Sequence, residues 1–173
     1  SAATDDKKKL SPYSWSKYTS NQLIKNYCEW FGLKYAIVYF YNVYGPGQIT
    51  NGNMTAVIGI FETQYLNDKP LTVVKPGTQK RDFTHIDDII HGTYLASKKI
   101  NKEFHIRSGT DYKIIDIAKM FKSRIKIIEE RRGERFESSR ESSEKTYSVL
   151  KFKPKKSIKQ YINNFIKINE KRK

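Results

Sequence analysis

Cysteine is almost missing from this chain: Cys28 stands alone in 173 residues. That excludes a disulfide framework and a metal cluster built on cysteines. Long apolar runs are missing as well. No stretch approaches the ~18–20 consecutive apolar residues of a membrane span, and the mean hydropathy is low, at -0.71. The opening Ser1-Ala2-Ala3-Thr4-Asp5-Asp6, followed by Lys7, Lys8 and Lys9, has no apolar segment of the signal-peptide kind. The 9 glycines never fall into a Gly-x-x-Gly-x-x-Gly or Gly-x-Gly-x-x-Gly run, so the loop that cradles dinucleotide phosphates is not among the motifs here. Acidic residues are few, 18 against 33 Lys and Arg, for a formal charge of +15. Collagen, coiled coil, membrane span and cysteine-rich secreted scaffold are thereby excluded, and a soluble, cytoplasmic, mixed globular protein is expected.

What is present is aromatic bulk. Twelve Tyr, 9 Phe and 2 Trp supply apolar surface that disordered chains lack, and the length suits one domain with a proper core. The positive charge has the sign a nucleic-acid binder needs. Its densest clusters, Lys7 to Lys9, Lys151 to Lys156 and Lys171-Arg172-Lys173, look instead like solvated turns and ends. With no zinc-finger spacing and no RNA-binding aromatic motif, nucleic acid is not the expected partner. An anionic small molecule explains part of the excess equally well.

Alternation of helix and strand signals predicts an α/β fold with a parallel component. Ser11-Pro12 reads as an N-cap with proline at the first helical position, opening a helix from Tyr13 to Phe31 that Gly32 ends. Tyr35 to Tyr41 is a continuous apolar and aromatic run, the pattern of a strand buried on both faces. Residues 42–52, rich in Gly, Asn and Pro, predict a loop. Helices are expected over 54–65, 86–98, 114–121 (opened at Asp111 or Tyr112) and from Ser157 onward. Short strands are expected at 71–74, 81–85, 104–107 and 125–128. Residues 129–145 form the most loop-like stretch.

Tyr13 and Lys17 are four apart, so both project from one face of the first helix. A tyrosine base needs such a neighbour, because an adjacent ammonium stabilises the phenolate and brings its pKa toward working pH. In a chain with 12 tyrosines such a pair also arises by chance, as two residues on an ordinary helix. His85, His91 and His105 have no ligand spacing, so no metal site is expected.

The surroundings of the pair carry more information. Ser11-Pro12-Tyr13-Ser14-Trp15-Ser16-Lys17 is followed by Tyr39-Phe40-Tyr41-Asn42-Val43-Tyr44-Gly45-Pro46-Gly47-Gln48. Next comes Arg81-Asp82-Phe83-Thr84-His85-Ile86-Asp87-Asp88. In this order the segments resemble the extended short-chain dehydrogenase/reductase family, on the side of the NAD-dependent nucleotide-sugar epimerases and dehydratases. The likeness continues through Ser108-Gly109-Thr110, Arg131-Arg132-Gly133-Glu134-Arg135 and Phe152-Lys153-Pro154-Lys155-Lys156-Ser157.

The resemblance implies the C-terminal part of a Rossmann-type parallel sheet together with a small α/β substrate-binding lobe. Residues 1–50 would end the Rossmann domain and residues 51–173 would form the lobe, with 86–109 returning to the Rossmann sheet. It makes Tyr13 the catalytic base and Lys17 its partner, both also at the nicotinamide ribose. Ser1 is matched to the catalytic serine, with Thr4 as the alternative. Phe40 and Tyr41 lie where the nicotinamide ring packs or serve as core. Asn42 contacts substrate or marks the turn before Gly45-Pro46-Gly47. Arg81 and Arg131 grip a nucleotide diphosphate, and Glu134 meets a ribose hydroxyl.

NAD is the implied cofactor, a nucleotide-diphosphate sugar (above all a UDP-sugar) the implied substrate, and pairing of two copies through the Tyr13–Lys17 helix the implied assembly. The reaction implied is oxidation of a sugar hydroxyl, at C4, and its re-reduction. Dehydration by a 4,6-dehydratase stays an alternative, as does a non-catalytic basic binding module on the same fold. The missing glycine fingerprint fits either a piece of a longer enzyme or a shortened homologue, and predicts weak NAD binding by these 173 residues alone.

Overall fold

The computed structural model describes residues 11–52, 54–129 and 144–170. Helix α1 (Pro12–Trp30) begins as its sequence predicts: the Ser11 side chain accepts from the Ser14 amide at 3.1 Å, with Pro12 in the first turn. It ends at Gly32, whose φ of 63° few other residues hold cheaply. There the Leu33 amide reaches back to the Cys28 carbonyl at 2.8 Å. Strand β1 (Ala36–Phe40) follows, then β2 (Asn42–Tyr44), α2 (Val57–Leu66), β3 (Leu71–Val74) and β4 (Lys80–His85). Next come α3 (Ile86–Ser97), β5 (Lys102–Ile106), β6 (Asp111–Lys113), α4 (Ile114–Met120), β7 (Ile125–Ile128), α5 (Glu144–Leu150) and α6 (Ile158–Glu170).

Three small sheets organise these elements. Strand β1 pairs in parallel with β5, placing Tyr39 opposite His105. Strand β4 lies between β2, parallel, and β6, antiparallel, with Asn42 opposite Phe83 and Arg81 opposite Tyr112. Strands β3 and β7 form a third, parallel pair. A parallel connection needs a crossover, and the helices between these strands supply it.

Two hydrophobic cores result. One gathers Phe61 of α2, Leu71 and Val73 of β3, Phe83 of β4, Ile117 and Phe121 of the α4 region, and Ile158, Ile162 and Ile166 of α6. The other packs Ile89 and Ala96 of α3 against Phe104 and Ile106 of β5, closed by Leu150 and Phe152. Between them the Asp88 carboxylate, 4% exposed, accepts the amides of Lys155 and Lys156 at 3.0–3.1 Å. That holds the segment running into α6 against the first turn of α3.

Four local expectations change. Residues 42–44, read as loop, are strand β2. The helix read from Met54 starts at Val57, because Thr55 closes a turn on the Gly52 carbonyl with both its amide (3.2 Å) and its hydroxyl (2.8 Å). Asp111 and Tyr112, expected to open the helix over 114–121, lie instead in β6 and pair with β4. Strand β1 is less buried than its composition suggests. Ile37 and Tyr39 are buried, Ala36 and Val38 half-buried, and Phe40 is 42% exposed.

Candidate functional site

Tyr13 and Lys17 stand on the outward side of α1. Tyr13 is 60% exposed and the Lys17 ammonium lies 5.6 Å from the centre of its ring. Of the residues in this helix only Ser14 is buried among the described residues. Directional contacts therefore tie α1 to the sheet. Asn21 Nδ2 donates to the Tyr39 hydroxyl at 2.9 Å, and Lys25 forms an ion pair with Glu103. The Tyr39 hydroxyl in turn donates to Glu103. Burial alone would raise the Glu103 carboxyl, but the Lys25 and Tyr39 hydrogen bonds outweigh it and hold that carboxyl below the ordinary carboxylate range.

Phe40 and Tyr41 occupy the carboxyl end of β1, where parallel sheets expose their ligand crevices. The Tyr41 hydroxyl lies 3.3 Å from His105 Nδ1, and the Arg107 guanidinium sits 4.9 Å from the centre of the Tyr41 ring. Burial, reinforced by the charge of Arg107, pushes the His105 imidazole below its ordinary range, against the opposing charge of Glu103.

Asn42 and Arg81 are brought to adjoining strands. Asn42 Nδ2 donates to the Asp82 carbonyl at 3.0 Å. Arg81 is half-buried, with Nη1 on the Lys80 carbonyl at 2.9 Å. Beside it, Asp82 is wholly buried and accepts from Arg107 Nε at 3.0 Å. The amides of Ser108 (2.9 Å) and Gly109 (2.8 Å) and the Thr84 hydroxyl (3.0 Å) also converge on it. Two carboxylate oxygens with four donors saturate this group. It fixes the β4 backbone on either side, and so the base from which Arg81 projects.

The loop after Asn42 is held from below. Gly45, at φ 140°, lies so close to the start of α3 that a Cβ there would come 2.7 Å from Ile86 Cγ2. Gln48 Nε2 donates to Glu62 at 2.7 Å, and the Tyr161 hydroxyl donates to the other Glu62 oxygen at 2.8 Å. Burial raises the Glu62 carboxyl above its ordinary value, against those two hydrogen bonds, which pull it down. Tyr44, Tyr161 and His85 stack edge to face beside this pair, with ring centres 5.1–5.9 Å apart.

Ser1, its alternative Thr4, Arg131 and Glu134 lie outside the described residues. Asp82, Arg107, Tyr39, Glu103 and His105 went unassigned in the sequence reading. A signal for three of them was present. Glu103, His105 and Arg107 alternate with Phe104 and Ile106, which is the period of a strand with one polar face. Among the described residues no His, Cys, Asp or Glu group of three gathers as for a metal ion, and no helix is long and apolar enough to cross a membrane. The donors present fit one end of a dinucleotide. An exposed phenol and ammonium on one helix face suit the hydroxyls of a ribose, whereas the glycine-rich pyrophosphate loop is not among this chain's motifs.

Comparison with known proteins bears on the family and the fold. The model of the NAD dependent epimerase/dehydratase family matches residues 1–114. A putative UDP-glucose 4-epimerase of Methanocaldococcus jannaschii is 32% identical over 116 residues, 67% of this chain and 38% of that protein. A dTDP-D-glucose 4,6-dehydratase of Dictyostelium discoideum is 33% identical over 113 residues, 63% of this chain and 25% of its own length. Among solved structures, the UDP-glucuronic acid 4-epimerase of Bacillus cereus, in complex with UDP-glucuronic acid and NAD, superimposes with a TM-score of 0.81 at 27% identity. It covers 95% of this chain and 54% of its own. The chain thus spans about half of that structure and a smaller share of the two relatives. The α/β fold expected from the sequence is the observed one, and the chain belongs to the NAD dependent epimerase/dehydratase family.

Proposed function

We propose that this chain carries the catalytic tyrosine and the sugar-nucleotide contacts of an NAD-dependent nucleotide-sugar 4-epimerase, with a UDP-sugar as substrate. The observation that carries the reading is the Tyr13–Lys17 pair on the exposed face of α1. Tyr13 takes the proton from the sugar C4 hydroxyl and later returns it. Lys17 stabilises the phenolate during that exchange and holds the nicotinamide ribose, as does Tyr13. When bound, NAD supplies the acceptor and donor of hydride. Phe40 and Tyr41 pack beside the nicotinamide and Asn42 contacts the sugar. Arg81 grips the diphosphate, together with Arg131, and Glu134 meets a ribose hydroxyl, with Ser1 assisting Tyr13.

In this reading residues 1–50 and 86–109 belong to the dinucleotide-binding half and the remainder to the substrate lobe, in a cytoplasmic enzyme. Exposed Leu23, Ile24, Tyr27 and Trp30 along α1 support pairing of two copies through that helix. The Dictyostelium relative keeps 4,6-dehydration as the second reading.

Calorimetric titration with UDP-glucose and UDP-glucuronate tests the proposal. Arg81→Ala should weaken binding by about 1.5–3 kcal/mol, the worth of a hydrogen bond to a charged group, while Tyr13→Phe binds as the parent does. NAD alone should bind weakly. In a chain extended by a glycine-rich dinucleotide-binding segment, Tyr13→Phe should lose roughly 10²–10⁴-fold in turnover. The product, a C4 epimer or a 4-keto-6-deoxy sugar, separates the two enzyme readings. Salt-dependent binding of labelled DNA, with no response to either sugar nucleotide, would overturn both.

A further inference from the structure

Tyr13, Lys17, Asn21 and Lys25 follow one another at four-residue steps, so they form a single ridge along α1. The first two are the pair of the proposed function. The second two are the ridge's attachment to the sheet, through Tyr39 and Glu103. From there a line of polar contacts runs along the helix-facing side of β1 and β5. The Tyr39 ring lies flat on His105, with centres 4.6 Å apart and planes 14° from parallel. His105 meets the Tyr41 hydroxyl, Arg107 covers the Tyr41 ring, and Arg107 reaches Asp82. Asp82 offers its carbonyl to Asn42 and precedes Phe83 in the strand that carries Arg81.

Apolar residues would dock a helix without such a line, and the opposite face of β5, Phe104 and Ile106, does its packing that way. With only Ser14 of α1 buried among the described residues, apolar burial does not set the height or rotation of the ridge, whereas directional bonds do. On the reading that Tyr13 and Lys17 act on a sugar held by Asn42 and Arg81, we propose that Tyr39 and His105 are positioning residues that fix the catalytic pair relative to the substrate contacts. Neither touches the reacting atoms. Tyr39 sets the ridge, and His105 passes that setting through Tyr41 and Arg107 to the β4 side.

Two substitutions that keep the ring stack test this. Tyr39→Phe removes the hydroxyl shared by Asn21 and Glu103, and His105→Phe removes the ring nitrogen that meets Tyr41. Amide chemical shifts and hydrogen exchange would be compared with the parent chain. Tyr39→Phe should shift the amides of Tyr13 to Tyr18 and lower protection in α1 by up to about tenfold, the scale of one lost hydrogen bond. His105→Phe should shift the Asn42 side-chain amide and the Ser108 and Gly109 amides, and the double variant should depart from the sum of the two.

Changes confined to the direct neighbours of position 39 or 105, with Tyr13, Lys17 and Asn42 unmoved, would overturn the proposal. If Tyr39→Phe fails to fold, Asn21→Ala reads the same link from the helix side. Affinity for UDP-glucose, measured on the same samples, should fall in His105→Phe. Failure of the parent chain to bind UDP-glucose counts against the proposed function, and the spectral outcome then decides the positioning role by itself.

Discussion

Asp82 and Arg107 meet at 3.0 Å with side chains 0% and 9% exposed, joining the centre of β4 to the end of β5. Withdrawing two charges from water is costly, and the pair persists because the remaining acceptor sites of Asp82 are filled by amides and a hydroxyl. The same contact places the loop 107–110 beside the strand that carries Arg81.

Removing one member should therefore cost far more than removing both. Asp82→Asn takes the buried carboxylate from the guanidinium and leaves it only the part-exposed Asp111, 3.3 Å from Nη2, and is expected to lose about 3 kcal/mol in urea unfolding. Adding Arg107→Met should recover part of that loss. A single variant as stable as the parent would show that water reaches this pair.

Glu62 should make stability fall as pH rises. Its folded pKa lies above that of the unfolded carboxyl, so stability is full below the unfolded value of about 4.3. It declines as the unfolded chain ionises first, until the folded value is passed. Glu62→Gln removes that dependence, and a flip of Gln48 would turn its unpartnered Oε1 toward the new amide. Melting temperatures should thus favour the variant increasingly above about pH 4, levelling once the folded value is passed. Parallel curves at every pH would sink this account.

Gly59 reverses an ordinary helix rule. Glycine inside a helix usually costs about 1 kcal/mol against alanine. Here a Cβ would stand 2.5 Å from the Ile49 carbonyl oxygen, which is backbone. Gly59→Ala is expected to destabilise by about 1–3 kcal/mol and to disturb the Gln48–Glu62 contact, both measurable by denaturant unfolding and by the shift of the Gln48 amide. A gain in stability would mean that the loop yields.

The long elements were legible because each carries its own signal. Ser11, Pro12 and Gly32 mark both ends of α1, and Ile158, Ile162 and Ile166 recur on one face of α6. Strands β2 and β6 span three residues each, too few for a period, and exist because β4 offers both its edges. Helix α5 has only Thr146 and Leu150 buried, and its opening falls within the Glu- and Ser-rich stretch read as loop. The candidate pair, Asn42 and Arg81 were found by motif. The polar line beneath α1 was not, since its meaning lies in the register of Tyr39 against His105, which only pairing at a separation of 66 residues creates.

Both cores are closed by residues far along the chain, Leu150 and Phe152 for one and α6 for the other. During synthesis, Phe104 and Ile106 must therefore wait for Phe152, and Phe61 for Ile162. At ribosomal speeds the intervening segments take on the order of several seconds. Throughout that interval the apolar face of β1 and β5 has only α3 over it. Arrival of Leu150 and Phe152 completes the cover, so a nascent chain stalled before residue 150 presents a half-closed core to chaperones.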